Sequence, residues 1–355
     1  MTGPRVTIVG DDAEISEQIL RVLLERGFGL EGIRALGGEG GAGDFIEVDQ
    51  ENRLRVERAD ALGLAGADAV LFSGDGDLAS ELVDHVPHGV LVLDATPAAS
   101  ARTGSVPIVP EVNADLVGAI GASGPLALAS PATVGLAVAL APLHEAGRVR
   151  RVVTTVMYPA STNGRDGAQR LSRQSVALMQ GAGLDEELDP EHFAFNLRPQ
   201  RGDYDSPWSA DEHVLAREIS AIFGEPAIEV VATGVRAPVF YGIGQSVYVE
   251  TEEPLDPDEA ERLLLRGRGL LVAGSTQAGE QDEGRPEDET PIEALDLSPG
   301  PIEVAGSDAV HVAHVRADPH RDGALAFWLC LDDQRKGVAL NAVATLEIAL
   351  RDARG

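Results

Sequence analysis

The sequence contains a single cysteine and no long apolar segment, and each of these absences excludes a class of protein. Cys330 is the one cysteine among 355 residues, so no internal disulfide can form, which is typical of a reducing cytoplasm. No segment approaches the roughly 20 consecutive apolar residues of a membrane-spanning helix. We therefore predict a cytoplasmic protein without a membrane partner.

Positive charge is also scarce. Lys336 is the one lysine, and 58 acidic residues against 28 basic ones leave a formal net charge of −30. Such a surface repels nucleic acid and anionic lipid, which excludes both as partners unless basic residues cluster locally. The acidic excess indicates adaptation to a saline solvent and says little about function.

Strand-like and helix-like segments alternate in the first third of the chain. Val6–Val9, Ala69–Phe72 and Gly89–Leu93 are short apolar runs, and Ile15–Glu25 carries apolar residues at helical spacing. Strands that alternate with helices predict an α/β domain with a Rossmann-type, doubly wound parallel sheet.

The pattern changes near Ser130, where strands come in blocks and predict an α+β second domain with a mixed or antiparallel sheet. The predicted strands are Arg151–Val156, Ile228–Thr233, a long stretch Val235–Val249 broken by Gly242 and Gly244, Val310–Val315 and Ala326–Leu331. The predicted helices are Asp166–Gln180, Ala210–Phe223, Pro257–Leu265 and Gly337–Arg351, and Gly274–Glu289 reads as a polar surface loop. We assign residues 1–129 with 333–355 to the first domain and residues 130–332 to the second.

Five segments in the same order resemble the aspartate-semialdehyde dehydrogenase family. They are Asp68–Ser73 (DAVLFS), Val106–Asn113 (VPIVPEVN), Phe193–Asn196 (FAFN), Ala232–Val239 (ATGVRAPV) and Asp333–Val343 (DQRKGVALNAV). The resemblance implies a Rossmann-type NADP-binding domain, to which the C-terminal helix returns, and a catalytic and dimerisation domain. In this family a cysteine thiolate carries the acyl group during reduction of aspartyl phosphate by NADPH. A histidine acts as acid and base, and arginines hold carboxylate and phosphate.

The family's catalytic positions carry other residues in this chain. The family's ANPNCST aligns with Ala129–Gly135 (ASPATVG), which places Thr133 at the cysteine. A threonine hydroxyl needs an adjacent base to become a nucleophile, and a hydroxyl at a helix start is its simpler role. The family's histidine falls on Ile243, which has no titratable proton, and its glutamine falls on Met157. Cys330 lies in an apolar strand, where cysteine is usually a core residue.

Histidine does not supply a metal site either. His311 and His314 lie three residues apart in one predicted strand, so they face opposite sides of it. We predict no metal.

The positions that would hold the substrate are mixed. Arg236 matches the family's carboxylate-binding arginine, with a structural salt bridge as the alternative role. Asp211 keeps an acidic residue of the family's E-E-x-K helix, whereas the lysine expected to meet phosphate is Val214. Arg102 lies two residues beyond the expected phosphate-binding arginine. A small carboxylate is the ligand that these residues could still hold.

The glycines of the dinucleotide loop have been replaced. The family's G-A-T-G-A-V-G becomes Gly10–Ser16 (GDDAEIS), in which only Gly10 is kept. Ala13 and Ser16 put side chains where glycine lets the backbone approach a pyrophosphate.

Charges near the expected cofactor have changed as well. Asp11, Asp12 and Glu14 place carboxylates at a helix N-terminus, the position that would otherwise attract phosphate. Gly40 replaces the arginine that grips the 2′-phosphate in the family, while Ser73 is kept. We expect no bound cofactor, because NADP binding is predicted to be lost or weak.

Two hypotheses follow from these substitutions. The first is a pseudoenzyme that binds a protein or small molecule as a dimer, like the Usg-type homologues, which keep the fold and lack the cysteine. The second is an active oxidoreductase of amino-acid biosynthesis that uses Arg236 and Asp211 on another carboxylate by altered chemistry. The resemblance implies a homodimer through the second-domain sheet, with a heterodimer with an active paralogue as the alternative.

Overall fold

The chain forms two compact units, Met1–Ser130 with Gly337–Gly355, and Pro131–Lys336. The computed structural model describes residues 3–10, 12–47, 53–74, 76–97, 99, 105–184, 191–202, 206–224, 226–273 and 299–353. The domain boundaries predicted from the sequence fall after residues 129 and 332.

The strands of both units are short to medium in length. They are β1 (Val6–Gly10), β2 (Ile33–Gly37), β3 (Phe45–Glu47), β4 (Arg53–Arg58), β5 (Ala69–Ser73), β6 (Leu91–Asp94), β7 (Leu126–Ala127), β8 (Val149–Tyr158), β9 (Arg198–Pro199), β10 (Glu229–Arg236), β11 (Ile243–Thr251), β12 (Leu270–Val272), β13 (Val310–Ala317) and β14 (Ala324–Leu331).

The helices alternate with these strands. They are α1 (Ala13–Glu25), α2 (Asp77–Leu82), α3 (Pro110–Asn113), α4 (Val117–Gly121), α5 (Pro131–Gly147), α6 (Gly164–Met179), α7 (Ala210–Phe223), α8 (Pro257–Leu265) and α9 (Asn341–Asp352). Among the described residues, no helix is both long enough and apolar enough to cross a membrane.

The first unit is built on a seven-stranded sheet in the order β3-β4-β2-β1-β5-β6-β7. Neighbouring strands are parallel except β3 and β4, which are antiparallel. Strands are added to both sides of β1, which confirms the predicted doubly wound fold. Ile8 of β1 and Leu20 of α1 share a buried core with Val343 and Leu346 of α9. The C-terminal helix is therefore part of the first unit, as the resemblance implied.

The second unit is built on a seven-stranded mixed sheet in the order β12-β13-β14-β11-β8-β10-β9. β8 and β10 are parallel, as are β12 and β13, and the other pairs are antiparallel. The mixed sheet predicted from the blocks of strands is confirmed. Helices α5, α7 and α8 pack on one face of this sheet. The other face carries exposed apolar residues, among them Val153 of β8 and Val231 of β10.

Two predicted segments differ from the structure. The stretch Val235–Val249 is broken at Gly242, as predicted, because Pro238 offers no N–H and Gly242 turns the chain at φ +89° between β10 and β11. Gly244 is no break, since it lies inside β11. The final helix begins as a π-helix, Arg335–Leu340, before α9, and apolar spacing does not distinguish these two helix types.

The start of one predicted strand also differs from the structure, and one predicted loop is not described. The strand predicted from Gly89 begins at Leu91, since Gly89 has a φ of +84°, outside the strand range. The predicted loop Gly274–Glu289 lies outside the described residues.

Candidate functional site

The first turn of α5 carries Thr133, at the family's cysteine position. Thr133 is fully buried. The carbonyl oxygen of the preceding Ala132 accepts a hydrogen bond from Nε2 of Gln245 over 2.8 Å, which joins this turn to β11. Oγ1 of Thr154 donates to Oε1 of Gln245 over 3.4 Å. Thr133 is therefore a residue of a helix start that is fixed against the sheet.

Ile243 and Met157 lie on neighbouring strands of that sheet. Ile243 begins β11, is 2% exposed and lies opposite Leu331 of β14. Met157 is half-buried on β8, where it pairs with Gly244. Because Gln245 of β11 also holds α5, the structure brings the three predicted catalytic positions to one end of the sheet. A hydroxyl, a thioether and an aliphatic side chain supply no base at neutral pH.

The thiol lies in the same region but is not available for catalysis. Cys330 of β14 is directly opposite Gly244 and fully buried. Burial, with a smaller contribution from the carboxylates of Glu303 and Asp333, raises the pKa of the Cys330 thiol to about 12. The thiol is therefore protonated at neutral pH, whereas the thiolate is the nucleophile.

The histidines lie on other elements. They are His85, His88, His144, His192, His213, His311, His314 and His320, and none is in the first turn of α5 or in β11. Nε2 of His311 is 2.8 Å from Oγ of Ser307. His314 is exposed at a φ of +57°, within the segment where the β13–β14 register shifts. Among the described residues, no group of three or more His, Cys, Asp and Glu could hold a metal ion.

Arg236 lies at the end of β10 with part of its guanidinium buried. Its Nη1 atom has no hydrogen-bond partner among the described residues. Arg236 is opposite Tyr158 of β8 on one side and Arg198 of β9 on the other. Burial raises the pKa of Tyr158, and the nearby carboxylate of Asp211 raises it further. Tyr158 is thus a neutral phenol near both Arg236 and Asp211.

Asp211 is fixed by hydrogen bonding at the start of α7. Its Oδ2 accepts a hydrogen bond from Nε2 of Gln200 over 2.6 Å, and Oε1 of Gln200 accepts one from Ser209 over 3.0 Å. Val214 follows on the same helix, half-buried, with no charge to offer a phosphate. Arg102 lies outside the described residues. The structure therefore brings together Arg236 and Asp211 of the predicted substrate-holding residues.

In the first unit, the turn between β1 and α1 ends at Asp12, which caps the helix. Oδ1 of Asp12 accepts hydrogen bonds from the backbone N–H groups of Glu14, over 2.9 Å, and Ile15, over 3.2 Å. A helix N-terminus otherwise offers such N–H groups to a phosphate. Ala13 begins the helix and Ser16 is buried in its first turn. Asp11 lies outside the described residues.

Gly10, the retained glycine of this loop, has no room for a side chain. It pairs with Ser73 of β5, and a Cβ on it would lie 2.5 Å from Oγ of Ser73 and 3.0 Å from Oγ of Ser16. Oγ of Ser73 is buried and, within the described part of the chain, has no hydrogen-bond partner. Gly40 has no atoms of residues other than its chain neighbours within 4 Å of its Cβ position, and it carries no charge itself.

Two features of the second unit were not predicted from the sequence. The carboxylate of Asp333 is buried and accepts hydrogen bonds from Gly242 and Ser161. Asp333 belongs to a family-like motif, but nothing local in the sequence indicates these partners. Arg198 is placed beside Arg236 by the two-residue strand β9, which is too short to produce a periodic pattern.

Comparison with known proteins agrees with this fold. The family model described as semialdehyde dehydrogenase, dimerisation domain, matches residues 140–336. The aspartate-semialdehyde dehydrogenase of Aquifex aeolicus (strain VF5) is 28% identical over 353 residues, which cover 99% of both chains.

Solved structures give the same result. Aspartate semialdehyde dehydrogenase II from Vibrio cholerae matches with a TM-score of 0.86 at 27% identity, covering 98% of both chains. The same enzyme complexed with ASA matches with a TM-score of 0.85 at 26% identity, covering 99% of both chains. An aspartate semialdehyde dehydrogenase from Candida albicans, solved with NADP, matches with a TM-score of 0.68 at 15% identity, covering 98% and 99%, which shows the fold alone.

These matches define the class as a two-unit dehydrogenase fold with a dimerisation domain. The chain belongs to the semialdehyde dehydrogenase family and is a homologue of aspartate-semialdehyde dehydrogenases along its whole length. The family resemblance predicted from the five sequence segments is confirmed.

Proposed function

We propose that this chain is a semialdehyde dehydrogenase homologue without the family's thiol-dependent activity, and that it acts by binding as a dimer. The observation that carries the proposal is the position of the thiol. Thr133 stands at the family's cysteine position, and Cys330 is buried in β14 with a pKa raised to about 12 by burial. A threonine hydroxyl would need a neighbouring base to attack an acyl group.

The residue at the base position supports the same conclusion. Ile243 is buried against Leu331 and cannot take up or deliver a proton. Met157 replaces the family's glutamine on the adjacent strand. The likeness to the Usg-type homologues stays a prediction.

The first unit does not fit the cofactor that the family uses. A pyrophosphate needs free N–H groups at the start of α1, but Asp12 already accepts hydrogen bonds from Glu14 and Ile15. Its carboxylate would also repel phosphate, and Gly40 offers no compensating charge. We therefore propose that NADP binding is lost or weak, and we route no chemical step through NADP.

The open face of the second sheet is the surface we propose for dimerisation. Val153 and Val231 are 37% and 36% exposed there, on adjacent strands, and the dimerisation-domain match includes both. The Nε atom of Arg151, on the same face, is buried with no hydrogen-bond partner among the described residues. A second copy of the chain would cover this face as a homodimer. A heterodimer with an active paralogue is the alternative.

The ligand proposed for the second unit is a small carboxylate. The Nη1 atom of Arg236 is buried and has no hydrogen-bond partner in the described part of the chain, and a guanidinium binds carboxylate through two parallel hydrogen bonds. One of the Vibrio cholerae structures is complexed with ASA. Asp211, close to Tyr158 and Arg236, adds an acidic group to the same site.

A second candidate function is an enzyme that acts on another carboxylate by altered chemistry. The Nη1 atom of Arg236 favours it, because this atom is buried without a hydrogen-bond partner among the described residues, and a protein with only a scaffold role gains nothing from such an atom. Both candidates share the carboxylate site and differ in whether a reaction follows binding.

The decisive assay measures oxidation of aspartate semialdehyde with phosphate and NADP, with a cysteine-containing family member as positive control. We expect no turnover above background. Turnover near that of the control would refute the proposal. If weak activity appears, Thr133→Val decides its origin, because this variant keeps the shape and removes the hydroxyl. Activity that disappears in Thr133→Val would show that the Thr133 hydroxyl takes part in the reaction and would contradict the proposal.

The dimer is tested by light scattering coupled to size exclusion. We expect the wild-type chain to be dimeric and Val231→Asp to be monomeric. Val176→Asp is the control, because Val176 is an equally apolar residue, 51% exposed, on helix α6 and not on a strand of the sheet. A dimer that survives Val231→Asp would contradict this surface, and a wild-type monomer that dimerises only with a paralogue would favour the heterodimer.

A further inference from the structure

A turn at residues 193–197, the Phe195 turn, holds an aromatic side chain at the surface in a strained backbone conformation. Phe195 has a φ of +56° and is 64% exposed. A positive φ crowds the Cβ atom of a bulky residue, and such strain is found mainly where a function requires it. The ring is also left in water by its own chain, which forfeits the free energy of burying an aromatic side chain. Strain and exposure at one residue therefore indicate that Phe195 acts outside its own chain.

One buried side chain fixes this turn. Gln174 of α6 is fully buried, and its Oε1 accepts hydrogen bonds from the backbone N–H groups of Phe193, over 2.9 Å, and Ala194, over 3.0 Å. Its Nε2 donates to the carbonyl oxygen of Glu191 over 2.8 Å. Phe193 and Ala194 are themselves buried in a small apolar core. Because the residues before Phe195 are fixed inside, the ring is presented to a partner at little further cost in entropy.

The Phe195 turn leads into the open face of the second sheet. Pro199 of β9 is directly opposite Val235 of β10, so both lie on one face. Strand alternation adds Leu197 and Val231 to that face. Leu197 is 65% exposed, which makes it the most exposed of these apolar side chains. The Phe195 turn therefore adjoins the face that we propose for dimerisation.

Acidic residues are absent from the three stretches of sequence that build this surface. They make up 58 of 355 residues, about one in six, yet residues 146–165, 192–202 and 230–249 contain none. These stretches include β8, β9, β10 beyond its first residue and most of β11. Two copies of a chain with a net charge of −30 repel each other, and they can approach most easily where both surfaces lack carboxylates.

The carboxylates at the border of this surface lie beside arginines. Glu250 accepts hydrogen bonds from Arg150, over 2.7 Å, and from Arg321, over 2.8 Å. Glu229 begins β10 directly opposite Arg151 of β8. These arginines offset the two negative charges, so the border adds little repulsion between copies.

We propose that Phe195 anchors a second copy of this chain, and that the acid-free face completes a homodimer whose affinity rises with salt concentration. The inference rests on the dimer proposed above and adds the anchoring residue and the response to ionic strength. The dimerisation-domain match includes the Phe195 turn. Two-fold symmetry places the same residue of both copies in the interface, so one dimer contains two such anchors.

The test measures the dissociation constant of the dimer by sedimentation equilibrium for the wild type, Phe195→Asn and Leu62→Asn. Asparagine is chosen because it adopts a positive φ more easily than phenylalanine does. Leu62→Asn is the control, because Leu62 is 82% exposed and belongs to the first unit. Each protein is measured at low salt and at about 1 M salt, where the Debye length falls to about 3 Å.

We expect Phe195→Asn to weaken the dimer by about 10-fold or more, as for an aromatic anchor of an interface. Leu62→Asn should dimerise like the wild type. High salt should tighten the wild-type dimer several-fold, because it screens the repulsion between the two acidic chains. A dimer that salt weakens would show attraction between opposite charges and overturn the proposed surface.

A second measurement distinguishes an anchor from a residue needed for folding. Phe195→Asn is added to Val231→Asp, the variant expected to be monomeric, and unfolded in urea. The unfolding midpoint should rise, because asparagine relieves the backbone strain and no dimer contact is left to lose. A lower midpoint would show that Phe195 stabilises its own chain and would overturn the inference.

The dimer face and the anchor fail in different ways. If Val231→Asp is monomeric and Phe195→Asn dimerises like the wild type, the anchor is wrong while the face stands. If Val231→Asp remains a dimer and Phe195→Asn dissociates, the face is wrong while the anchor stands. A wild-type chain that is monomeric, or that dimerises only with a paralogue, overturns both the homodimer and its anchor.

Discussion

The backbone N–H of Gly242 donates to Oδ1 of Asp333 over 2.6 Å, and Oδ2 of the same carboxylate accepts from Ser161 over 2.8 Å. Gly242 immediately precedes Ile243, at a φ of +89°. Asp333 therefore fixes the turn that enters β11 and the turn that follows β8. Burial raises the pKa of the Asp333 carboxyl to about 6, from an ordinary value of 3.8.

This raised pKa predicts a specific pH dependence of stability. The folded state holds the Asp333 proton more tightly than the unfolded chain does, so the stabilising contribution is present below about pH 4 and is lost as pH rises through 6. From about pH 5 to pH 7.5 we expect this group to lower the free energy of unfolding by about 1–2 kcal/mol. Asp333→Asn should remove that decline in urea titrations.

The control for this prediction is Glu253→Gln, an exposed carboxylate in the same unit. It should keep the pH slope of the wild type. A wild-type slope that is identical to that of Asp333→Asn would show that Asp333 ionises alike in the folded and unfolded chains.

The Cys330 thiol is expected to be unreactive in the folded protein. It is fully buried on β14, and burial raises its pKa to about 12, so little thiolate forms at pH 8. A chromogenic disulfide reagent should label less than a tenth of the chains over an hour in buffer and all of them in denaturant, on the order of the difference between a buried and a free thiol. Fast labelling of the native protein would contradict the burial and revive Cys330 as a nucleophile.

Local signals account for the parts of the fold that the sequence predicted best. Helices α7 and α8 begin where predicted, because the residues at their N-termini are typical capping residues. Ser209 and Glu212 form a capping box at α7, and Asp256 caps α8, with Pro257 as its first residue. Such signals lie within four residues of the boundary that they set.

The features that escaped prediction depend on contacts between distant segments. Asp333 and Gly242 are 91 residues apart along the chain, and no local pattern joins them. Arg198 is placed opposite Arg236 by a strand of only two residues. The substitutions at Thr133 and Ile243 were readable because a family motif fixed their positions, whereas the burial of Cys330 beside them required the sheet register.

Asp12 is expected to contribute to stability through its cap on α1. Asp12→Ala should lower the free energy of unfolding by about 1 kcal/mol, because two backbone N–H groups lose their acceptor. Asp12→Asn is the matched control, since asparagine is an equally good capping residue and should cost little. Chemical unfolding of the three proteins checks the order. Equal loss in both variants would assign the effect to charge and not to the cap.

Gly244 is expected to tolerate no side chain although it lies in a strand. A Cβ there would lie 2.5 Å from the indole ring of Trp328, and that ring is anchored because its Nε1 donates to the carbonyl of Pro299 over 2.8 Å. Gly244→Ala should therefore destabilise the protein by about 1–3 kcal/mol through overpacking and shift the tryptophan emission. Gly38→Ala is the control, since no atom lies within 4 Å of its Cβ position. If Gly244→Ala were as stable as Gly38→Ala, the indole would have to lie elsewhere, and the segment around Pro299 would not cover this part of the sheet.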